Sequence, residues 1–271
     1  MSDSDQLATN ISSASISPSN SPIELRSLTP ARVALDRTGC SLTTRHALEF
    51  SVAHAQARDA VHSTLAVPSL MAALRDRGLT VIAVKSAAAD RTEYLRRPDL
   101  GRTLAPSSAM LLQPVTGNQQ PATRFSLIVA DGLSALAAER HALPVLDALL
   151  PLLNDTWALA PVVIAEQARV ALGDEIGEAL RADVTVMLIG ERPGLSSPDS
   201  LGAYITWGPR PGRTDAERNC VSNIRPEGLD STAAARKIAW YIREGRRLGV
   251  TGVSIREPDR ALLPQMIPHA P

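Results

Sequence analysis

Three short apolar runs interleaved with helix-forming stretches limit the second half of this chain to one kind of fold. Phe125–Ala130 (FSLIVA), the PVVIAE segment within residues 157–166 and Val184–Ile189 (VTVMLI) have the length and β-branched content of buried strands. Leu133 to about Leu150, and Gly173–Leu180, read as helices between them. Strand, helix, strand, helix, strand is the pattern of a parallel α/β sheet with crossover helices. Ser231 or Thr232 is placed to cap a last helix from Ala233 to about Leu248, Gly249 is placed to end it, and Val250–Ile255 reads as a final strand.

Before that unit the pattern is more helical. Thr43 or Thr44 can cap a helix running to about Leu65, with Leu48, Val52, Ala55 and Ala60 as a partial apolar stripe. Pro68–Arg77 suggests a second helix and Thr80–Val84 a short strand. Asp90–Arg97 suggests a helix stopped by Pro98, and 99–123 reads as mixed loop. The expected plan is a disordered Ser-rich tail at 1–28, a helical N-terminal region with a short strand at 29–123, an α/β domain at 124–258 and a C-terminal tail at 259–271.

Composition narrows the function classes. The chain has 28 basic and 28 acidic residues, so bulk charge draws it neither to nucleic acid nor to an anionic membrane. No apolar run reaches the ~20 residues of a membrane span, and the N-terminus lacks the basic start and apolar core of a signal peptide. Cys40 and Cys220, the two cysteines, lie far apart and read as reduced thiols of a cytosolic protein.

The familiar site motifs are missing. There is no G-x-G-x-x-G after a strand, no G-x-x-x-x-G-K-[ST], no H-E-x-x-H and no C-x-x-C. His46, His54 and His62 recur every eight residues. Each such step turns ~80° around a helix, so the outer pair stands ~160° apart and cannot share a metal. Three polar positions follow the buried runs: Asp131, the segment Glu166–Val170, and Glu191. In an open parallel sheet, ligands sit beyond the carboxyl ends of the strands. Each position alone would also serve as a cap or turn; together on one rim they define a candidate site. After Gly190 comes a long stretch rich in Pro, Ser and Arg that reads as an irregular loop reaching to Cys220. Tyr204, Ile205 and Trp207 within it would be poorly placed in water, which points to ordering by the fold or by a partner.

At these residues the sequence resembles a known family. FSVAHAQARDAVHS (50–63), DRTEYLRRPDLGR (90–102), VADGLSALAAERHA (129–142), APVVIAEQARVALGDEIGE (160–178), IGERPGLSSPDSLGAYITWGPRPGRTDAERNCVSNIRPEGL (189–229) and AARKIAWYI (234–242) are similar to segments of the small (light) subunit of ethanolamine ammonia-lyase. The resemblance covers roughly residues 30 to 255 and leaves the Ser-rich tail unassigned.

The resemblance implies an α/β, Rossmann-like parallel sheet domain preceded by a helical N-terminal region. It implies a partner, a TIM-barrel large subunit that holds the substrate and all catalytic residues, with adenosylcobalamin between the two subunits. By the resemblance, this chain covers the lower, nucleotide-loop side of the corrin and supplies neither a catalytic residue nor a metal ligand. D-x-H-x-x-G, which lends a histidine to cobalt in other cobalamin proteins, is absent, so a bound cobalamin is expected base-on. The cofactor contacts implied are the Val of QARVALGD, Val170; the Glu of GERPGL, Glu191; and the Cys of RNCVSNI, Cys220. Arg169 and Arg192 are candidates for phosphate or subunit contacts. The implied location is a bacterial microcompartment or the cytoplasm. A stand-alone cobalamin-binding module and a purely structural partner subunit are the alternatives.

Overall fold

The computed structural model describes residues 29, 31–112, 123–153 and 157–256. The tails expected at 1–28 and 259–271 lie outside the described residues, as do residues 113–122 of the expected loop. Backbone contacts group the residues up to Ser51 as one unit and those from Val52 as another.

In the first unit, β1 (Arg37–Thr38) and β2 (Ser41–Leu42) form a short antiparallel hairpin. Gly39 turns it with φ +63°, a conformation glycine adopts without strain. Helix α1 (Thr44–His62) follows at once. Near its start the buried His46 stands between two carboxylates, Nε2 at 3.3 Å from Asp36 Oδ2 and Nδ1 at 3.0 Å from Glu49 Oε2. Among the described residues no group of three or more His, Cys, Asp or Glu is arranged to hold a metal ion.

The second unit is built on one sheet. Its elements after α1 are α2 (Val67–Arg75), β3 (Val81–Lys85), α3 (Arg91–Arg96), α4 (Pro106–Ala109), β4 (Thr123–Ala130), α5 (Ala135–Leu149) and β5 (Trp157–Leu159). They continue with β6 (Val162–Glu166), α6 (Leu172–Ala179), β7 (Val184–Gly190), β8 (Leu201–Trp207), β9 (Asn219–Ile224) and α7 (Ser231–Leu248). The strands run in the order β3-β6-β4-β7-β8-β9. β3, β6, β4 and β7 are parallel; β8 and β9 extend the sheet antiparallel. β3 precedes residue 124 in sequence and is nevertheless an edge strand of this sheet.

The strand expected at PVVIAE is β6, and a separate short strand, β5, precedes it. β5 pairs with the start of β4 and β6 with its end. The break falls at Ala160–Pro161, where proline has no N–H to continue a ladder.

Alternation along the strands divides the core into two layers. Leu127, Val129, Ile164, Val186, Leu188, Ala203 and Ile205 face α2, α5 and α7. Ile128, Ala130, Val163, Ala165, Met187 and Ile189 face Leu172 and Ile176 on and beside α6. Each buried Leu or Ile of these layers contributes ~1.5–3 kcal/mol over an exposed one. On the second face the apolar cover thins toward β8 and β9: Tyr204 is half-buried and Cys220, beside it, is exposed.

Three expectations need correction. The polar stretch after Gly190 is not one irregular loop reaching Cys220: it contains β8 and the start of β9. One of its arginines, Arg218, is buried and paired with Asp174 at 2.6 and 2.7 Å. No final strand forms over 250–255. There the Asn219 side chain substitutes for a strand partner, accepting from Gly252 N–H at 2.8 Å and donating to Gly252 O at 3.1 Å. The last helix is capped by Asp230 rather than Ser231 or Thr232, its Oδ1 accepting from the N–H groups of Thr232 and Ala233, both at 2.9 Å.

Candidate functional site

The loops leaving the carboxyl ends of β4, β6 and β7 meet at one cavity of about 440 Å³. Asp131 ties them together. It is buried at the end of β4, and its carboxylate accepts from Gln167 N–H at 2.8 Å, from Ala168 N–H at 3.1 Å and from Arg91 Nη1 at 3.2 Å. Arg91 also donates to Gly132 O at 2.8 Å. Burial pushes the Asp131 carboxyl up to about 6, against the pull of Arg91 and the backbone N–H groups. Gly132 has φ +53°, and a β-carbon there would lie 2.2 Å from Gly190 O, so the β4 and β7 turns touch backbone to backbone.

One wall of the cavity is aromatic and cationic. Tyr94 on α3 is fully buried and donates to Ala168 O at 2.9 Å. The guanidinium groups of Arg169 and Arg91 lie 4.3 and 4.8 Å from its ring centre. Gly101 lets this packing close, since a β-carbon there would stand 2.9 Å from both Arg169 and Tyr94. Arg169 Nε is buried and has no hydrogen-bond partner among the described residues. The adjoining Val170 and Leu133 give the cavity an apolar side.

The opposite wall comes from β7 and β8. Glu191 follows β7, and its Oε2 accepts from Ser200 Oγ at 2.5 Å and from Asn223 N–H at 3.2 Å. Tyr204 lines the same wall and stands opposite Cys220 in the β8–β9 ladder. Although Cys220 is exposed as a residue, partial loss of hydration at its thiol raises it above the ordinary cysteine range, and the Glu191 charge adds to this against the Tyr204 hydrogen bond and Lys237. The cysteine is therefore a neutral thiol at physiological pH, suited to contact rather than to nucleophilic attack.

The structure thus brings Val170 and Glu191 into one cavity and sets Cys220 beside it through Tyr204. Arg169 lines the cavity, and the exposed Arg192 lies at its rim. Asp131 builds the loop that carries Val170 and does not line the cavity itself. Glu166 is turned toward β3, 3.5 Å from Lys85 Nζ. Sequence reasoning missed Tyr94, Ser200 and Asn223, and marked Tyr204 only as a residue ordered by the fold or a partner, not as part of the site. Two signals for them were present: Arg91 and Tyr94 are three apart on one helix face, and Gly202, Tyr204 and Thr206 alternate against the apolar set of β8.

An open α/β sheet with a cavity beyond the carboxyl ends of its parallel strands has the layout in which α/β proteins commonly bind their ligands. The sequence matches, over residues 19–256, the model of the family described as ethanolamine ammonia-lyase light chain. It is 52% identical over 252 residues to the ethanolamine ammonia-lyase small subunit of Bradyrhizobium diazoefficiens, covering 92% of this chain and 95% of that protein. The small subunit of Azotobacter vinelandii is 54% identical over 235 residues, covering 86% and 87%, and that of Pseudomonas aeruginosa strain LESB58 is 52% identical over 242 residues, covering 89% of each. The chain belongs to the family of ethanolamine ammonia-lyase light chains.

Proposed function

We propose that this chain works as the small subunit of a two-subunit ethanolamine ammonia-lyase, and that the cavity described above holds the lower side of a base-on adenosylcobalamin shared with the large subunit. One observation carries the reading: Val170 and Glu191 line a single cavity, and Cys220 adjoins it, although they come from separate elements.

The residues fit such a group. The cavity is far smaller than a cobalamin, so it can receive one side only, and the rest must be covered by a partner. Its lining joins apolar Val170, Leu133 and Ile189 to polar Glu191 and Tyr204, matching a ligand with an apolar ring edge and an amide fringe. The partnerless Arg169 Nε is a buried donor that a ligand oxygen would satisfy. The thin cover over Tyr204 and Cys220 on the second sheet face leaves room for a ligand or partner to complete that layer.

When bound, adenosylcobalamin supplies the radical chemistry by which the enzyme converts ethanolamine to acetaldehyde and ammonia, on catalytic residues of the large subunit. This chain binds and orients. Val170 gives apolar or backbone contact, Glu191 accepts hydrogen bonds, and the Cys220 thiol packs at the edge. Arg169 and Arg192 serve phosphate or subunit contacts. Among the described residues no helix is long and apolar enough to cross a membrane, and the proposed location is a bacterial microcompartment or the cytoplasm.

Co-expression with a large subunit tests this, with acetaldehyde release measured for each chain alone and for the pair. Activity confined to the pair, and a raised cofactor requirement in Glu191→Ala, are expected. A stable pair without cofactor-dependent turnover would reduce this chain to a structural partner. Tight cobalamin binding by the isolated chain would make it a stand-alone module.

A further inference from the structure

We infer that Ser200 is a positioning residue for Glu191, fixing that carboxylate so that one oxygen is left to accept an N–H or O–H from the ligand. The inference rests on the cofactor reading above. Glu191 Oε2 receives two donors, the Ser200 hydroxyl at 2.5 Å and the Asn223 N–H at 3.2 Å. The second donor exists because the β8–β9 register shifts between Leu201 and Ala203, so that Gly202 opposes both Ser222 and Asn223. Asn223 sits at φ +57°, and its N–H turns from the ladder to the carboxylate.

The bulge is itself locked. Asn223 O accepts from Leu229 N–H at 2.8 Å, and a β-carbon on Gly228 would stand 2.3 Å from Asn223 O. On the other side the Glu191 side chain lies over Gly202, where a β-carbon would come within 3.0 Å of Oε1. Ser200 is 6% exposed, so its hydroxyl has little water to turn to.

A backbone N–H can only donate, so Oε2 is already committed as an acceptor. Oε1 accepts no hydrogen bond among the described residues, and its acceptor capacity selects amide N–H or hydroxyl groups on the ligand and disfavours phosphate or carboxylate oxygens, which the negative charge repels. Ser200 contributes by holding the carboxylate, without needing to touch the ligand.

The test is equilibrium dialysis of cyanocobalamin against the assembled two-subunit complex, with assembly checked by size-exclusion chromatography. Ser200→Ala should weaken binding about three- to tenfold, the size of one ordinary net hydrogen bond, since the serine acts on the ligand only through Glu191. In a Glu191→Ala background the same change should have no further effect, a coupling that a merely structural serine would not show. Gly202→Ala, which pushes a methyl against Oε1, should weaken binding in the same way and carries the test if Ser200→Ala does not assemble. Equal weakening by Ser200→Ala in both backgrounds, or none in either while Glu191→Ala weakens binding, overturns the inference and leaves the site reading intact. Unchanged binding in Glu191→Ala would instead remove the site reading itself.

Discussion

Replacing Arg218 by methionine tests the interior of the sheet's second face. Arg218 and Asp174 are both essentially buried, with side chains 2% exposed. Arg218 Nη1 donates to Asp174 Oδ1 at 2.7 Å and to Thr206 Oγ1 at 3.1 Å; Nη2 donates to Asp174 Oδ2 at 2.6 Å and to Arg213 O at 2.9 Å. Arg218→Met removes all four and leaves Asp174 without its cation. Breaking one side of such a pair costs about 3–5 kcal/mol. For a unit of this size that lowers Tm by about 6–20 °C. The Asp174 carboxyl is already raised by burial, against the pull of Arg218, and without that cation it rises further. A folded pKa above the unfolded one means stability is greatest at low pH and is lost as pH rises through the folded value. Arg218→Met should therefore lose most stability near neutrality and least in acid. The double variant Asp174→Leu/Arg218→Met, with no buried charge to strand, should recover most of the loss. Urea unfolding followed by circular dichroism from acid to neutral pH is the assay. A single variant that loses less than about 1 kcal/mol, or a double variant no more stable than the single, would refute the account.

Asp131, with its carboxyl near 6, should make wild-type stability fall as pH rises from about 4 to about 6, by about 3 kcal/mol if its unfolded value is ordinary. Asp131→Asn should flatten that slope in urea midpoints measured against pH. Tyr94→Phe removes the bond to Ala168 O, in the loop leading to Val170, and should cost about 1 kcal/mol by the same unfolding measurement. Gly132→Ala meets Gly190 O from a left-handed backbone and should destabilise by more than about 2 kcal/mol in thermal melts, because the obstacle is backbone and cannot rotate away. The raised Cys220 thiol should be alkylated by iodoacetamide more slowly than a free cysteine near neutral pH, with the rate climbing only above the usual cysteine range.

The parallel core was legible because each of its strands announces itself locally. Phe125–Ala130 and Val184–Ile189 are buried on both faces, so they read as apolar runs interrupted only by Ser126 and Thr185, and the helices between them carry ordinary stop and start signals. β8 and β9 were not legible for the opposite reason. One face of β8 carries Gly202, Tyr204 and Thr206, and the strand is embedded in Pro, Ser and Arg whose burial depends on a partner 44 residues away, Asp174. Composition reports the polarity of such residues and not their pairing. The same limit applied at the site. Glu191 could be found from its place after a buried run, whereas Ser200 and the Asn223 bulge act through a register shift that exists only once β9 has docked.

The cavity walls also carry a consequence for how the chain opens and closes. Tyr94 comes from before the first central strand and Tyr204 from after the last parallel one, so no fragment short of the assembled sheet possesses both. Occupancy of the cavity is then linked to global unfolding rather than to fraying of any one loop. A bound group should slow amide exchange across β4, β6, β7 and β8 together. A chain cut anywhere between those two tyrosines should lose the cavity as a whole rather than half of it.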